Sequence, residues 1–385
     1  MRRSTDRILT THCGSLPRPT DLLDGMKARL SGEPYEPAHY DERLRAAVSD
    51  LVRQQVEHGV DVLSDGEQSK PGFFSYVSER LEGFTPATGE DGFNLFEAEV
   101  REFPEYYEDY FGRAMLGGRV APVSPVVCTG PIRYRGQHAI RHDIDNLKAA
   151  LSGHRYVEAF MPSVAPSGVG TNRYYETEEE YLFDLADALH EEYQAIVDAG
   201  FLLQVDDPFL TDVYSYSELS PEDRRRTADL YVEAINHALR GIPPEKVRLH
   251  TCYGINEGPR VHDAALREVM PSLLKVKAGA LSFEAANARH EHEYHVFEDV
   301  KLPEETIVIP GVVTHGSNIV EHPELIAERL VRYARLVGRE NVVAGTDCGF
   351  SSQATYKPEV HPKVMWAKFD AMAEGARLAS AQLWR

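Results

Sequence analysis

Cysteine is scarce in this chain of 385 residues, with four in all (Cys13, Cys128, Cys252, Cys348) and no CxxC pair. So few thiols, so far apart, exclude a disulfide framework and leave buried thiols or metal ligands. Basic residues are short too: 41 Lys+Arg face 61 Asp+Glu, a net charge of −20, and no Lys/Arg run supplies a concentrated basic surface. Nucleic acid and anionic membranes are thereby excluded as partners, because binding phosphate needs a concentrated basic surface. No apolar stretch reaches the ~20 residues of a membrane span. Met1-Arg2-Arg3-Ser4 leads into no signal-peptide core, so a soluble, cytoplasmic protein is expected. No GxGxxG or GxxxxGKS/T follows any strand-like run, so the usual phosphate cradle of nucleotide enzymes is missing. Tryptophan is limited to Trp366 and Trp384, both in the C-terminal helical region and away from every expected strand end.

What the chain does have is alternation. Short β-branched or apolar runs occur at Ile8–Cys13, Val60–Ser64, Val157–Met161, Phe201–Val205, Val247–Cys252, Ala280–Glu284, Thr306–Pro310 and Asn341–Ala344. Between them lie stretches of helical period such as Asp41–His58, with Leu44, Val48, Leu51, Val52 and Val56 on one face, and Glu178–Ala199, closed by Gly200. Eight strands alternating with helices predict a parallel α/β (β/α)8 TIM barrel. Residues 68–135, rich in Gly, Pro and aromatics (Phe73-Phe74, Tyr106-Tyr107) and ending in Val123–Tyr134, read as an insertion after the second strand with its own hairpin or short strands. Residues 31–39 read as a linker before the first full helix. With no repeat and no composition break, residues 1–385 are expected to form one domain.

Chemistry gathers at the expected strand ends. His250 and Cys252 are two apart on one strand and so share a face. Glu284 ends the next strand, and Cys348 follows the last, in Gly345-Thr346-Asp347-Cys348-Gly349. Barrel active sites lie at these carboxyl ends. One imidazole, two thiolates and a carboxylate suit a tetrahedral Zn2+, which soft thiolates select over Mg2+ or Ca2+. Such a centre can hold a substrate thiol as thiolate, the carboxylate giving up its place to the incoming sulfur. His-x-Cys alone also describes two core residues; it is Glu284 and Cys348 that turn the reading towards a metal.

The motifs Thr11-His12-Cys13-Gly14-Ser15-Leu16-Pro17-Arg18-Pro19, Ser64-Asp65-Gly66-Glu67, Gln204-Val205-Asp206-Asp207-Pro208, His250-Thr251-Cys252, Glu284 and Thr346-Asp347-Cys348-Gly349-Phe350 resemble, in order, the catalytic domain of cobalamin-independent methionine synthase. Phe283 through Asn287, Arg289 through Glu293 and Asn318 through Pro323 resemble its single-domain branch, which includes the epoxyalkane:coenzyme M transferases. The resemblance implies a zinc-dependent transfer of a methyl or alkyl group to a small-molecule thiol in methionine biosynthesis, with zinc on His250, Cys252, Glu284 and Cys348. It further implies that Gly14 and Ser15 grip the substrate carboxylate, that Glu67 and Asp206 bind its amino group, and that His315 donates the proton. Thiol addition to an epoxide, and a non-catalytic protein that binds a metal or methyl carrier, are the alternatives; assembly with copies of itself stays open. Asp65 and Asp207 suit loop or cap contacts. His290, His292 and His295 suit surface or supporting hydrogen bonds, and Arg18 and Arg289 either an anionic substrate or structural ion pairs. The chain has no room for the second barrel of full-length relatives and no evident aromatic platform, so a polyglutamylated folate is expected to be a poor donor.

Overall fold

The computed structural model describes residues 1–87, 96–115, 118–120, 126–216, 218–254 and 257–385. Its centre is a parallel barrel of β1 (Leu9–Thr10), β2 (Val62–Leu63), β3 (Glu158–Val164), β4 (Leu202–Asp206), β5 (Val247–His250), β6 (Ala280–Phe283), β7 (Ile307–Val313) and β8 (Val343–Thr346). The order around the sheet is β1-β8-β7-β6-β5-β4-β3-β2, so each strand lies beside its neighbours in sequence, and β1 lies against β8. Burial on both faces, by helices outside and side chains inside, explains why β4 and β7 are buried at every residue. Helices such as Pro37–Glu57 wrap the outside, laying Leu44, Val48, Leu51 and Val52 on the strands. Glu178–Asp198 starts where Thr177 Oγ1 accepts from Glu180 N at 3.1 Å, with three acids in its first turn favouring the dipole. Among the described residues no helix is long and apolar enough to cross a membrane.

All eight expected strands are present, shifted by a few residues. The expected linker at 31–39 is different. A helix, Thr20–Ser31, buries Leu22, Leu23 and Met26 and ends at Gly32 with φ 68°, and the next helix already begins at Pro37. Proline fits the first turn of a helix, whose N–H would be unpaired in any case, so Pro37 starts a helix where it was expected to prolong a linker.

Between β2 and β3 the chain leaves the barrel. Leu81–Pro86 pairs antiparallel with Val126–Tyr134, which Thr171–Asn172 joins in parallel, and two short helices, Glu97–Glu102 and Pro104–Tyr110, lie between. Residues 88–95, 116–117 and 121–125 of the expected insertion, including the start of Val123–Tyr134, lie outside the described residues. A buried ionic knot fastens the excursion to the barrel helices. Arg80 pairs with Asp143 and with Glu192 at 2.8 Å, and the hydroxyls of Tyr76 and Tyr134 each donate to Glu192 at 2.7 Å. Burial pushes Glu192 up, but Arg80 more than offsets it and holds the carboxyl at about 2.

The seam between β1 and β2 carries no regular ladder. Asp61 closes it: its N–H donates to Thr10 O at 3.1 Å, and its carboxylate accepts from Thr10 N at 3.0 Å and from both Arg7 nitrogens at 2.6 Å. Asp61→Ala would strip that edge of its charged acceptor, at an expected cost of about 2 kcal/mol. Urea unfolding should show the loss, whereas Glu57→Ala on the exposed helix face should stay within about 0.5 kcal/mol.

Candidate metal and substrate site

A cavity opens at the carboxyl ends of the strands. In its wall His250, the last residue of β5, meets Cys252 from the following loop and Cys348 from the loop after β8; one ligand atom from each lies within 4.8 Å of the others. The ladder stops at His250, so Cys252 arrives by the turn of the loop and not, as the spacing implied, as a strand residue. Ser282 Oγ, from β6, lies 3.2 Å from His250 Nδ1, and Cys13 Sγ lies 3.5 Å from the same atom. These contacts fix the ring, and His250 Nε2 is left buried with no partner among the described residues. Burial, aided by Arg248, lowers His250 to about 3, so the ring is neutral and its lone pair available. The neighbouring Cys252 thiol, and then burial, push Cys348 well above the usual thiol range. An orphaned imidazole nitrogen beside two sulfurs fits a thiophilic divalent cation such as Zn2+.

Glu284, the expected fourth ligand, is placed differently. Its carboxylate accepts from Arg260 Nη1 at 2.8 Å, Asn287 Nδ2 at 2.8 Å and Tyr253 N at 3.2 Å. It groups instead with His315 and Asp347, one ligand atom of each within 4.8 Å. The reason is electrostatic, since the buried Arg260 guanidinium supplies the counter-charge that a metal would otherwise provide. His315 is buried in this second cluster and is not among the cavity-lining residues. Burial lowers it to about 4 although Asp347 favours its charged form.

The acids expected to bind an amino group do converge on the cavity. Glu67 sits at φ 55°, a strained backbone for a residue with a side chain. Lys70 Nζ lies 3.6 Å from its Oε1, and its Oε2 is buried without a partner among the described residues. Asp206 accepts from Gln204 Nε2 at 2.6 Å, and burial followed by the charge of Glu67 raises it well above the carboxylate range. Two acids this close invite a cation. Cys13 and Ser15 also line the cavity, and Gly14 between them turns at φ 122°, where a Cβ would stand 2.6 Å from Pro162 Cγ.

Supporting residues fall where the sequence put them, or nearly so. Asp207 accepts from Leu210 N at 3.0 Å and Ser167 Oγ at 3.2 Å, a helix cap, and Asp65 accepts from Glu67 N at 3.0 Å. Arg18 donates to the carbonyls of Glu67, Lys70 and Ser351, a wholly structural role. Arg289 donates to Val261 O on the exposed side. His290 bridges Asp263 and Glu293; burial lowers it, but the two carboxylates raise it to about 9.

The sequence reading missed the aromatic walls. Phe73, Phe74, Phe96, Phe209, Phe350 and Tyr110 line the cavity, with Phe73 and Phe209 stacked at 6.4 Å. The search for a platform had followed tryptophan, yet Trp366 stacks on His58 and Trp384 donates to Thr5 O, and neither lines the cavity. The Phe73-Phe74 pair was the available signal. Asp212 and Arg119 line the cavity as well and had no motif to betray them. Burial, with Asp207 and Asp263 adding, pushes Asp212 up to about 8.

Residues 8–128 and 167–368 match the family described as cobalamin-independent synthase, catalytic domain. A methionine synthase of Sulfolobus acidocaldarius is 24% identical over 341 residues, covering 88% of this chain and 85% of its own. That of Saccharolobus solfataricus is 24% identical over 378 residues, covering 98% and 96%. A B12-independent methionine synthase from Shewanella sp. W3-18-1, solved in complex with selenomethionine, shares the fold at a TM-score of 0.72 and 19% identity over 98% of this chain and 99% of its own. Since the matched segments take in every barrel strand but β3, together with the thiol, imidazole and acid clusters of the cavity, the chain belongs to the cobalamin-independent synthase catalytic-domain family.

Proposed function

We propose that this protein is a methionine-synthase-like S-methyltransferase, an enzyme that uses zinc held by His250, Cys252 and Cys348 to alkylate the thiol of a small amino acid. The observation that carries the reading is the meeting of an unpartnered imidazole nitrogen with two thiols, in a cavity that also holds the Glu67 and Asp206 acid pair. The relatives named methionine synthase support the reaction class. Glu284 would serve as a displaceable fourth donor, released from Arg260 when no substrate sulfur is present. The chain would act as one unit over residues 1–385, the excursion at 68–135 supplying cavity wall. Its four free cysteines suit a reducing cytoplasm.

Bound at this centre, zinc would supply the positive charge that lets a substrate thiol persist as thiolate at neutral pH. The protein's own residues do the rest. Glu67 and Asp206 receive the substrate ammonium, whose charge opposes the burial and the Glu67 repulsion that lift Asp206. The turn at Gly14 and Ser15 faces the carboxylate. Held at both ends, the amino acid presents its sulfur to the alkyl carbon; the new carbon–sulfur bond forms as the carbon–donor bond breaks, and the leaving atom takes both electrons and a proton. A sulfonate thiol such as coenzyme M would leave the acid pair without a partner, which favours a homocysteine-type acceptor over the epoxide reaction. Asp212, at the cavity wall and raised by burial to about 8, is the acid assigned to supply that proton. His315, held neutral by burial, delivers a proton less readily.

The purified protein should hold one zinc per chain and transfer a methyl group to homocysteine. Cys252→Ser and Cys348→Ser should each lose most of the metal and the activity while the far-ultraviolet circular dichroism is unchanged; metal content untouched in both variants would refute the centre. Asp206→Asn should raise KM for homocysteine about tenfold or more and leave that for a thiol lacking the amine within about twofold. The rate should fall as pH rises through about 8, where Asp212 gives up its proton. Asp212→Asn should abolish that limb and lower kcat about 10²-fold; an unchanged pH profile would remove Asp212 from the reaction.

A further inference from the structure

Arg119 is set apart from the other inward-facing arginines. Arg18, Arg80, Arg248, Arg260 and Arg329 are all buried, and each donates to carbonyls, hydroxyls or carboxylates of the protein. Arg119 lines the cavity, bridges to Thr355 through its backbone, and has a buried Nε with no partner among the described residues. No ion pair among those residues involves it. Burial lowers it to about 10, opposed only by Tyr110. Glu359 also lines the cavity, but its Oε1 accepts from Tyr110 at 3.1 Å. Among the described residues the other lysine or arginine on the wall is the exposed Lys357.

A half-buried guanidinium given no acceptor among the described residues is costly to fold around, and in a chain of net charge −20 a carboxylate partner would have been easy to supply. The sorting of charge in the cavity is therefore informative. Glu67, whose Oε2 has no partner among the described residues, and Asp206 make one part of it acidic, whereas Arg119, from the excursion, gives another part a positive charge with no ion-pair partner among those residues. The first part suits the ammonium of the thiol substrate. We propose that Arg119 is the anion-recognition residue for the second substrate: the alkyl donor carries a carboxylate, sulfonate or phosphate that the Arg119 fork receives, its body lying against Phe73, Phe74 and Phe209. The assignment of this anion to the alkyl donor rests on the methyltransferase reading; the anion subsite itself does not.

Calorimetric titration of the full-length protein as purified, with 1-naphthoate, 1-naphthalenesulfonate and the neutral 1-naphthalenemethanol, tests the subsite directly. The unaltered protein should bind the anions about tenfold or more tighter than the alcohol, as expected of a charge-assisted pair out of water. Arg119→Met should abolish that preference while leaving the alcohol within about twofold, Arg119→Lys should restore part of it, and Lys357→Met should keep it. The thermal midpoint of Arg119→Met should not fall, because a guanidinium without protein partners contributes no contact to lose. A preference that survives in Arg119→Met, or a midpoint that drops as for a lost structural ion pair, overturns the proposal. Methyl transfer measured on the same samples separates the two conclusions. Charge preference lost with Arg119→Met in a protein that never transfers methyl groups would uphold the anion site and reject the function.

Discussion

The geometry of the candidate metal and substrate site depends on one buried carboxylate, that of Asp347. One of its oxygens accepts from the N–H groups of Ala285 and Ala286 at 2.7 and 2.8 Å, and the other from Asn287 Nδ2 at 3.1 Å. The loop after β6 is thereby tied to the loop after β8, and Asp347 lies between Thr346, the end of β8, and Cys348. Burial, and then the charge of Glu284, lift its pKa, while His315 and the N–H groups of Ala285 and Ala286 oppose the lift. Gly311 on β7 is part of the same arrangement, since a methyl group there would collide with the carboxylate. Asp347 thus ties the loop that follows Glu284 to the one that carries Cys348.

Charge in the cavity is sorted in a way that the overall composition hides. The exterior carries a large excess of acid, yet the interior spends its few cations with care. Arg80 is committed to Glu192 and Asp143, Arg260 to Glu284 and Asp263, and Arg248 crosses the barrel interior to Thr11 and the His12 carbonyl while lying 4.1 Å from the Phe160 ring. Glu67 Oε2 and Arg119 Nε, each buried without a partner among the described residues, belong to residues that line the cavity. Where a protein leaves a buried charge unmatched, the match is a ligand far more often than an oversight.

The barrel was legible because parallel strands covered on both faces write themselves as short apolar runs, and the helices between them keep a clear period. His250 and Cys348 were legible for a related reason: chemistry at strand ends stands out against apolar neighbours. The Arg260 contact of Glu284 was not legible, because Arg260 comes from a loop with no pattern and no spacing rule pairs residues 24 apart across loops. The aromatic walls escaped because Phe73, Phe96, Phe209 and Phe350 come from four separate segments that only the fold brings together. Pro37 was taken for a linker because a proline that starts a helix and one that breaks it are spelled alike.

β1 and β8 lie side by side, and their contact continues into the site: Cys13 N–H donates to Thr346 Oγ1 at 3.2 Å, and Phe350 N–H to Ser15 O at 2.9 Å. One wall of the cavity is thus written near the start of the chain and the facing wall near its end. During synthesis the first strand must wait, with Leu9 and Cys13 uncovered, until more than three hundred further residues have left the ribosome. The last folding step is therefore the one that both closes the barrel and assembles the chemistry, so a truncated or stalled chain carries no partly active site.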